Sequence, residues 1–246
     1  MNSSEIKAVI LAAGKGTRLQ DGESDTPKVM RLALGKPLLR YVLDSLDFIE
    51  REDTIIIVGY KKEKILDEFS GYRFVVQEEQ LGTGHAVMTA QSELAGYSGA
   101  VLVCYGDMPA IRKETYAALI RAHFDGGNDC TILTGESSFD LPYGRVIRAP
   151  DGSFIGIVED RDCTPAQSSI KELNSGVYVF SAPLLLESLK LLKNDNSQSE
   201  YYITDAPSIM GGLGARVSAF RRELGPEILG VNTVLQLEQV EAVLRG

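Results

Sequence analysis

The stretch that most constrains the fold is Lys7-Ala8-Val9-Ile10-Leu11, which runs directly into Ala12-Ala13-Gly14-Lys15-Gly16-Thr17-Arg18. A continuous apolar run bounded by a glycine turn reads as a buried parallel strand, and such strands belong to α/β proteins whose helices cover both sheet faces. The loop that follows carries no bulk until Arg18. Ala12, Ala13, Gly14 and Gly16 therefore let a ligand approach the backbone, whose N–H groups donate to phosphate oxygens. Lys15, Arg18 and Lys28 concentrate positive charge in a chain whose formal net charge is −9. That local excess points to a polyanionic ligand.

Neither common phosphate loop fits. A P-loop requires G-x-x-x-x-G-K-[ST], yet the lysine after Gly14 is followed by another glycine. A dinucleotide fingerprint requires G-x-G-x-x-G, and position 19 is leucine. The pattern present is L-A-A-G-x-G-T-R followed by Pro27-Lys28. It resembles the signature of the sugar-1-phosphate nucleotidylyltransferases.

The first half keeps a strand–helix rhythm. Apolar runs at Thr54–Gly59, Phe74–Gln77 and Ala100–Asp107 predict further strands. Helical stripes are expected over Pro37–Ile49, Lys62–Phe69, Gly84–Leu94 and Lys113–Phe124. This spacing gives βαβ units and a mainly parallel sheet, with ligand loops along one sheet edge. Near residue 130 the rhythm changes. Short strands are expected at Cys130–Thr134, Arg145–Arg148 and Ile155–Glu159, the last two joined across Pro150-Asp151-Gly152. A strand over Asn174–Phe180 follows, then helices near Pro183–Lys193 and Thr204–Met210. A short strand at Val217–Phe220 and a helix over Thr233–Arg245 close the chain, and Asn194–Ser199 reads as a loop. Together with the resemblance of the first loop to the nucleotidylyltransferase signature, this implies one nucleotidyltransferase domain. Its nucleotide-binding half spans about 1–128, its hairpin-rich sugar-binding half about 129–232, and a C-terminal helix 233–246.

Composition excludes several alternatives. The balance of 34 acidic against 25 basic residues argues against a protein that coats nucleic acid, though a local basic pocket suffices for a free nucleotide. Cys104, Cys130 and Cys163 show no C-x-x-C spacing and only two histidines accompany them, so neither zinc nor a disulfide framework is expected. Cys104 sits in an apolar run and reads as a buried thiol. With no signal-peptide core and no long apolar run, no membrane association is expected and the chain reads as cytoplasmic.

Three further constellations carry chemistry. In Gln77-Glu78-Glu79-Gln80-Leu81-Gly82-Thr83-Gly84-His85, the glycines permit close backbone approach, and Gln77 brings a paired amide donor and acceptor suited to a base edge. Thr83 is also placed to cap the next helix. Tyr105-Gly106-Asp107 ends a strand with a carboxylate, as Mg²⁺ prefers, and Asn232 supplies either a second oxygen ligand or a helix cap. Tyr143-Gly144-Arg145, Glu159 and Asn174 offer the directional polar groups that sugar hydroxyls need.

Taken together, the blocks LAAGKGTR, PKV, QLGTGHAV, YGDMP, YGRVIR, GIVEDRD, ELNSGVYVF, EYYITD and GVNTVLQLE cover nearly the whole chain. In order and spacing they resemble the N-terminal uridylyltransferase domain of the bacterial bifunctional N-acetylglucosamine-1-phosphate uridyltransferase and glucosamine-1-phosphate acetyltransferase family. The resemblance implies a Rossmann-like, GT-A-like three-layer fold. It implies that Leu11, Ala12, Ala13, Gly14, Gln77, Gly82 and Thr83 hold the nucleotide, with Arg18 and Lys28 on its phosphates as the catalytic cations. Asp107 and Asn232 would hold Mg²⁺. Tyr105, Gly144, Glu159, Asn174, Tyr202 and Thr204 would line the sugar side, Glu159 meeting a ring hydroxyl and Asn174 the acetamido group.

The implied reaction converts UTP and N-acetylglucosamine 1-phosphate into UDP-N-acetylglucosamine and pyrophosphate. Alternatives are another sugar 1-phosphate, dTTP or CTP as nucleotide, or a silent sugar-nucleotide sensor. All of Arg18, Lys28, Asp107 and Asn232 are present, which speaks against the sensor. Met108, Ala110 and Thr233 depart from the family pattern without removing an implied ligand. Nothing in the chain resembles the family's hexapeptide β-helix, so no acetyltransferase activity is implied. A monomer or weak oligomer is expected rather than the trimer that β-helix forms.

Overall fold

The computed structural model describes residues 5–16 and 26–245. The elements of the first half are β1 (Ile6–Leu11), β2 (Leu32–Ala33), β3 (Lys36–Pro37), α1 (Leu38–Ser45), β4 (Thr54–Val58), α2 (Glu63–Glu68), β5 (Arg73–Val76), α3 (Thr83–Thr89), α4 (Gln91–Leu94), β6 (Ala100–Tyr105) and α5 (Lys113–Asp125). The second half contributes β7 (Cys130–Gly135), β8 (Arg145–Arg148), β9 (Phe154–Val158), α6 (Pro165–Ser168), β10 (Leu173–Ser181), α7 (Ala182–Leu189), α8 (Ala206–Gly212), β11 (Val217–Arg222) and α9 (Val234–Leu244).

One sheet crosses both halves in the order β11-β7-β10-β6-β1-β4-β5, with the β8–β9 hairpin hung from the start of β10. Neighbours run parallel except around β10, which is antiparallel to β6 and β7. The alternation of side chains along each strand divides the core into two layers. Ala8, Ile10, Ile56, Leu102 and Cys104 face α1, α2, α5 and α9. Val9, Ile55, Ile57, Val101 and Val103 face α3, α4, α7 and α8. The result is the three-layer, mainly parallel α/β fold expected. Full burial of such aliphatic side chains contributes about 1.5–3 kcal/mol each, so the sheet centre is the rigid frame of the site.

Several local expectations are corrected. The helix expected over Gly84–Leu94 is broken at Ala90, where Thr89 Oγ1 donates to the Ala86 carbonyl at 2.6 Å. Such back-bonding disturbs the helical ladder. The helix expected to reach Ile49 stops at Ser45, because Leu46 leaves helical geometry and its N–H is shared between the Val42 and Leu43 carbonyls. The β2–β3 hairpin was not expected. Its two turn residues, Leu34 and Gly35, both take positive φ (51° and 79°), and a leucine there hides the usual hairpin signal. Near residue 204 a 3-10 turn, Ile203–Asp205, precedes α8.

The geometry gathers the loops after these strands at one edge. β1, β4, β5 and β6 deliver their carboxyl ends there, while antiparallel β10 brings its amino end, Asn174 to Gly176, to the same side.

Candidate active site

The first loop is built by close backbone packing. Ala12 N–H donates to the Ile57 carbonyl at 2.8 Å, and a Cβ on Gly59 would meet Ala13 at 3.0 Å. Gly16 has φ +65°, and a Cβ on it would lie 2.7 Å from the Lys28 Cβ. The glycine loop and the proline-lysine pair of the motif therefore touch. Arg18 lies outside the described residues.

Lys28 begins a 3-10 turn, Lys28–Met30, behind the extended Pro27. Its ammonium donates to Asn232 Oδ1 at 2.6 Å and forms an ion pair with the Asp107 carboxylate. Residues separated by up to 204 positions thus meet at one point. Val231 N–H donates to the Asp107 carbonyl at 3.0 Å, and Gly230 N–H to the Tyr143 hydroxyl at 2.8 Å, holding the last loop against the end of β6. The capping alternative for Asn232 is resolved locally. Thr233 caps α9, its Oγ1 accepting from Gln236 N–H at 3.2 Å, which leaves the Asn232 amide facing Lys28.

Asp107 and Asn232 offer two hard oxygen donors, and the ammonium between them is a stand-in for a cation at that point. The donor set suits Mg²⁺, which takes few protein oxygens and completes its shell with water and phosphate. Among the described residues, no group of three or more His, Cys, Asp and Glu side chains would hold a metal alone.

Two adjoining cavities share Lys28, Thr83, Tyr105 and Asp107. The smaller, about 230 Å³, is lined by Leu11, Gly14, Gln77 and Gly82 as well. Ala12 and Ala13, expected to hold the nucleotide, are buried and do not line it. Gly82 takes φ +107°, and a Cβ there would collide with the Tyr201 carbonyl at 2.5 Å. Only glycine lets this loop close against residues 200–203. Thr83 does not cap α3. Its Oγ1 instead accepts from Ile203 N–H at 3.1 Å.

The larger cavity, about 430 Å³, is lined by Tyr105, Gly144, Glu159 and Asn174 together with Tyr143, Gly176, Arg161 and Gln198. Glu159 accepts from Thr204 Oγ1 at 2.8 Å. Burial pushes its carboxyl pKa up against that hydrogen bond, and nearby Asp205, Asp162 and Asp160 add to the rise. Burial likewise pushes the Tyr105 and Tyr143 hydroxyls up, so both are neutral donors. The Asn174 amide is engaged in a bulge of β10, donating to the Tyr178 hydroxyl at 2.7 Å while its Oδ1 accepts from Gly176 N–H at 3.2 Å. Tyr202 and Thr204 lie outside the cavity wall and act through Gln198 and Glu159, Gln198 Nε2 donating to the Tyr202 hydroxyl at 2.7 Å.

Sequence reasoning passed over Gly176, Arg161 and Gln198. Gly176 has φ +78°, and a Cβ would lie 2.1 Å from the Tyr105 ring, so its absence of a side chain makes room for Tyr105. A glycine inside a strand is the signal that could have found it. Arg161 and Gln198, paired at 2.6 Å across two loops, carry no such signal.

The fold and this paired-cavity edge define a nucleotidyltransferase domain. The MobA-like NTP transferase domain matches residues 8–204, and the chain belongs to that family. Among curated relatives, the bifunctional protein GlmU of an Exiguobacterium species is 44% identical over 97% of this chain and 52% of its own length. That of Streptococcus suis is 43% identical over 97% of this chain and 51% of its own. The chain thus spans about half the length of the curated relatives it matches. A Bacillus anthracis crystal structure, assigned as a glucose-1-phosphate thymidylyltransferase, shares the fold with a TM-score of 0.72 and 17% identity. The match covers 98% of this chain and 95% of that one.

Proposed function

We propose that this chain transfers a uridylyl group from UTP to N-acetylglucosamine 1-phosphate, giving UDP-N-acetylglucosamine and pyrophosphate. The observation that carries this reading is the meeting of Lys28, Asp107 and Asn232 at the junction of the two cavities. That is where a nucleotide's phosphates and a sugar phosphate would face each other.

The smaller cavity takes the nucleoside, its glycine loops close to the ligand, and the larger takes the sugar. The sugar phosphate oxygen is already anionic near neutral pH and needs no general base. It attacks the α-phosphorus of UTP in line. The new P–O bond forms as the bond to the pyrophosphate oxygen breaks, and pyrophosphate leaves with the electron pair. Catalysis then consists of positioning two polyanions and offsetting their repulsion. Lys28 turns from Asp107 to the phosphates, and Arg18 supplies the second cation. Asp107 and Asn232 would hold Mg²⁺, which when bound neutralises phosphate charge. Glu159, oriented by Thr204, accepts from a sugar hydroxyl, and the neutral Tyr105 hydroxyl donates nearby. The resemblance of the sequence blocks to the bifunctional uridyltransferase family supports the choice of amino sugar and uridine nucleotide, in keeping with bifunctional GlmU relatives at 44% and 43% identity.

Lys28→Ala tests the assignment. Loss of one preorganised charge contact lowers turnover by on the order of 10²–10³. The expected result is that loss of pyrophosphate release in a variant whose circular dichroism and melting match wild type. Near-normal kcat would overturn the role of Lys28.

A further inference from the structure

We infer that His85 is a positioning residue that occupies the second N–H of the Gln77 amide, whose direction the Gly82 carbonyl sets, so that the smaller cavity reads a base through the base's own N–H. The inference rests on the nucleotide reading above and names what selects the base.

Gln77 is almost wholly buried, with 3% of its surface exposed, and its backbone is pinned at both ends. Its N–H donates to the Val58 carbonyl at 2.8 Å, and its carbonyl accepts from Gln80 Nε2 at 3.1 Å. The side-chain nitrogen Nε2 donates to the Gly82 carbonyl at 3.1 Å and lies 3.1 Å from His85 Nδ1. A backbone carbonyl only accepts, so the amide nitrogen has to face Gly82. The same nitrogen then donates to His85 Nδ1, which must carry a lone pair, and the imidazole proton sits on Nε2. Both N–H bonds of the amide are committed within the protein. What Gln77 has left for a ligand in the cavity is Oε1, an acceptor only.

An acceptor at that position suits a pyrimidine carrying an imino N–H, as uracil and thymine do. It opposes cytosine, whose ring nitrogen would bring lone pair against lone pair. A buried polar mismatch of this kind is worth on the order of ten- to a hundredfold in selectivity. Without the imidazole acceptor, one N–H of Gln77 is released and can donate to a base acceptor, so the distinction between bases weakens. His85 itself follows Gly84, whose N–H donates to the Tyr201 carbonyl at 2.7 Å, and its ring lies 6.5 Å from that of Tyr201.

The test compares kcat/KM for UTP and CTP in wild type, His85→Leu and His85→Asn, with melting temperatures recorded for each. The leucine variant removes the acceptor, and the expected result is a tenfold or greater fall in the UTP-to-CTP ratio. Asparagine places Oδ1 near the position of Nδ1 and is expected to restore most of the preference, which a merely structural role would not do. In wild type without nucleotide, ¹⁵N spectroscopy of the His85 ring is expected to show Nε2 protonated and Nδ1 bare. A UTP preference that survives in His85→Leu, or a protonated Nδ1, overturns the inference alone. Folded wild type that binds neither nucleotide overturns the nucleotide reading and this inference with it.

Discussion

Lys28 shows how one residue sets the character of the site. Its ammonium lies against a carboxylate and an amide oxygen, the groups that would otherwise meet a metal, and its backbone packs on Gly16. Gly176 makes the complementary contribution by lacking a side chain, since its φ of +78° and its contact with the Tyr105 ring both require glycine. Gly176→Ala adds a Cβ that the ring must move to avoid. We expect a loss of about 1–3 kcal/mol in stability, measured by urea unfolding, and a raised KM for the sugar phosphate because Tyr105 lines both cavities. Unchanged stability and KM would show that Tyr105 yields freely. Among the site residues expected from sequence, Lys28, Asp107 and Asn232 are brought to one point. Gln77 was expected to offer both donor and acceptor, but its nitrogen is taken by Gly82 and His85, a long-range pairing no local pattern announces.

At the scale of elements, α5 and β7 are coupled through a buried polar contact. His123 Nδ1 lies 3.1 Å from Thr131 Oγ1, which accepts from Asn128 Nδ2 at 3.2 Å and so can donate to a neutral imidazole. Burial lowers the His123 pKa from 6.5 to about 4, with Asp129 pulling the other way. The unfolded chain therefore binds a proton more readily than the folded one between those values. Stability is intact above pH 6.5 and falls as pH drops toward 4, by up to about 3 kcal/mol from this residue. His123→Asn, which keeps an acceptor for Thr131 but cannot titrate, should flatten that part of the urea-unfolding profile. An unchanged slope would assign the acid sensitivity to other groups. Strands such as β1, β4 and β6 were legible because burial on both faces writes continuous apolar runs. The breaks at Ala90 and Leu46 were not, because side-chain hydrogen bonding and packing end those helices without glycine or proline.

Across the whole molecule, one sheet joins the two halves of the chain into a single frame. Parallel strands β1, β4, β5 and β6 bring one set of loops to the edge, and the reversal at β10 brings the other. The antiparallel direction of β10 was not readable from its own residues, since a run buried on both faces looks the same in either direction. The same reversal explains why Asn174 and Gly176, distant in sequence from Tyr105, stand beside it. Among the described residues no helix is long and apolar enough to cross a membrane.

The central claim is tested most directly by pyrophosphate release from UTP and Mg²⁺ with N-acetylglucosamine 1-phosphate, run beside glucose 1-phosphate and glucosamine 1-phosphate. The account predicts strong turnover with the acetylated sugar and weak turnover with the other two. Equal or greater turnover with another sugar would contradict the role given to Glu159, and no turnover with any sugar from folded, UTP-binding protein would contradict the nucleotidyl transfer itself.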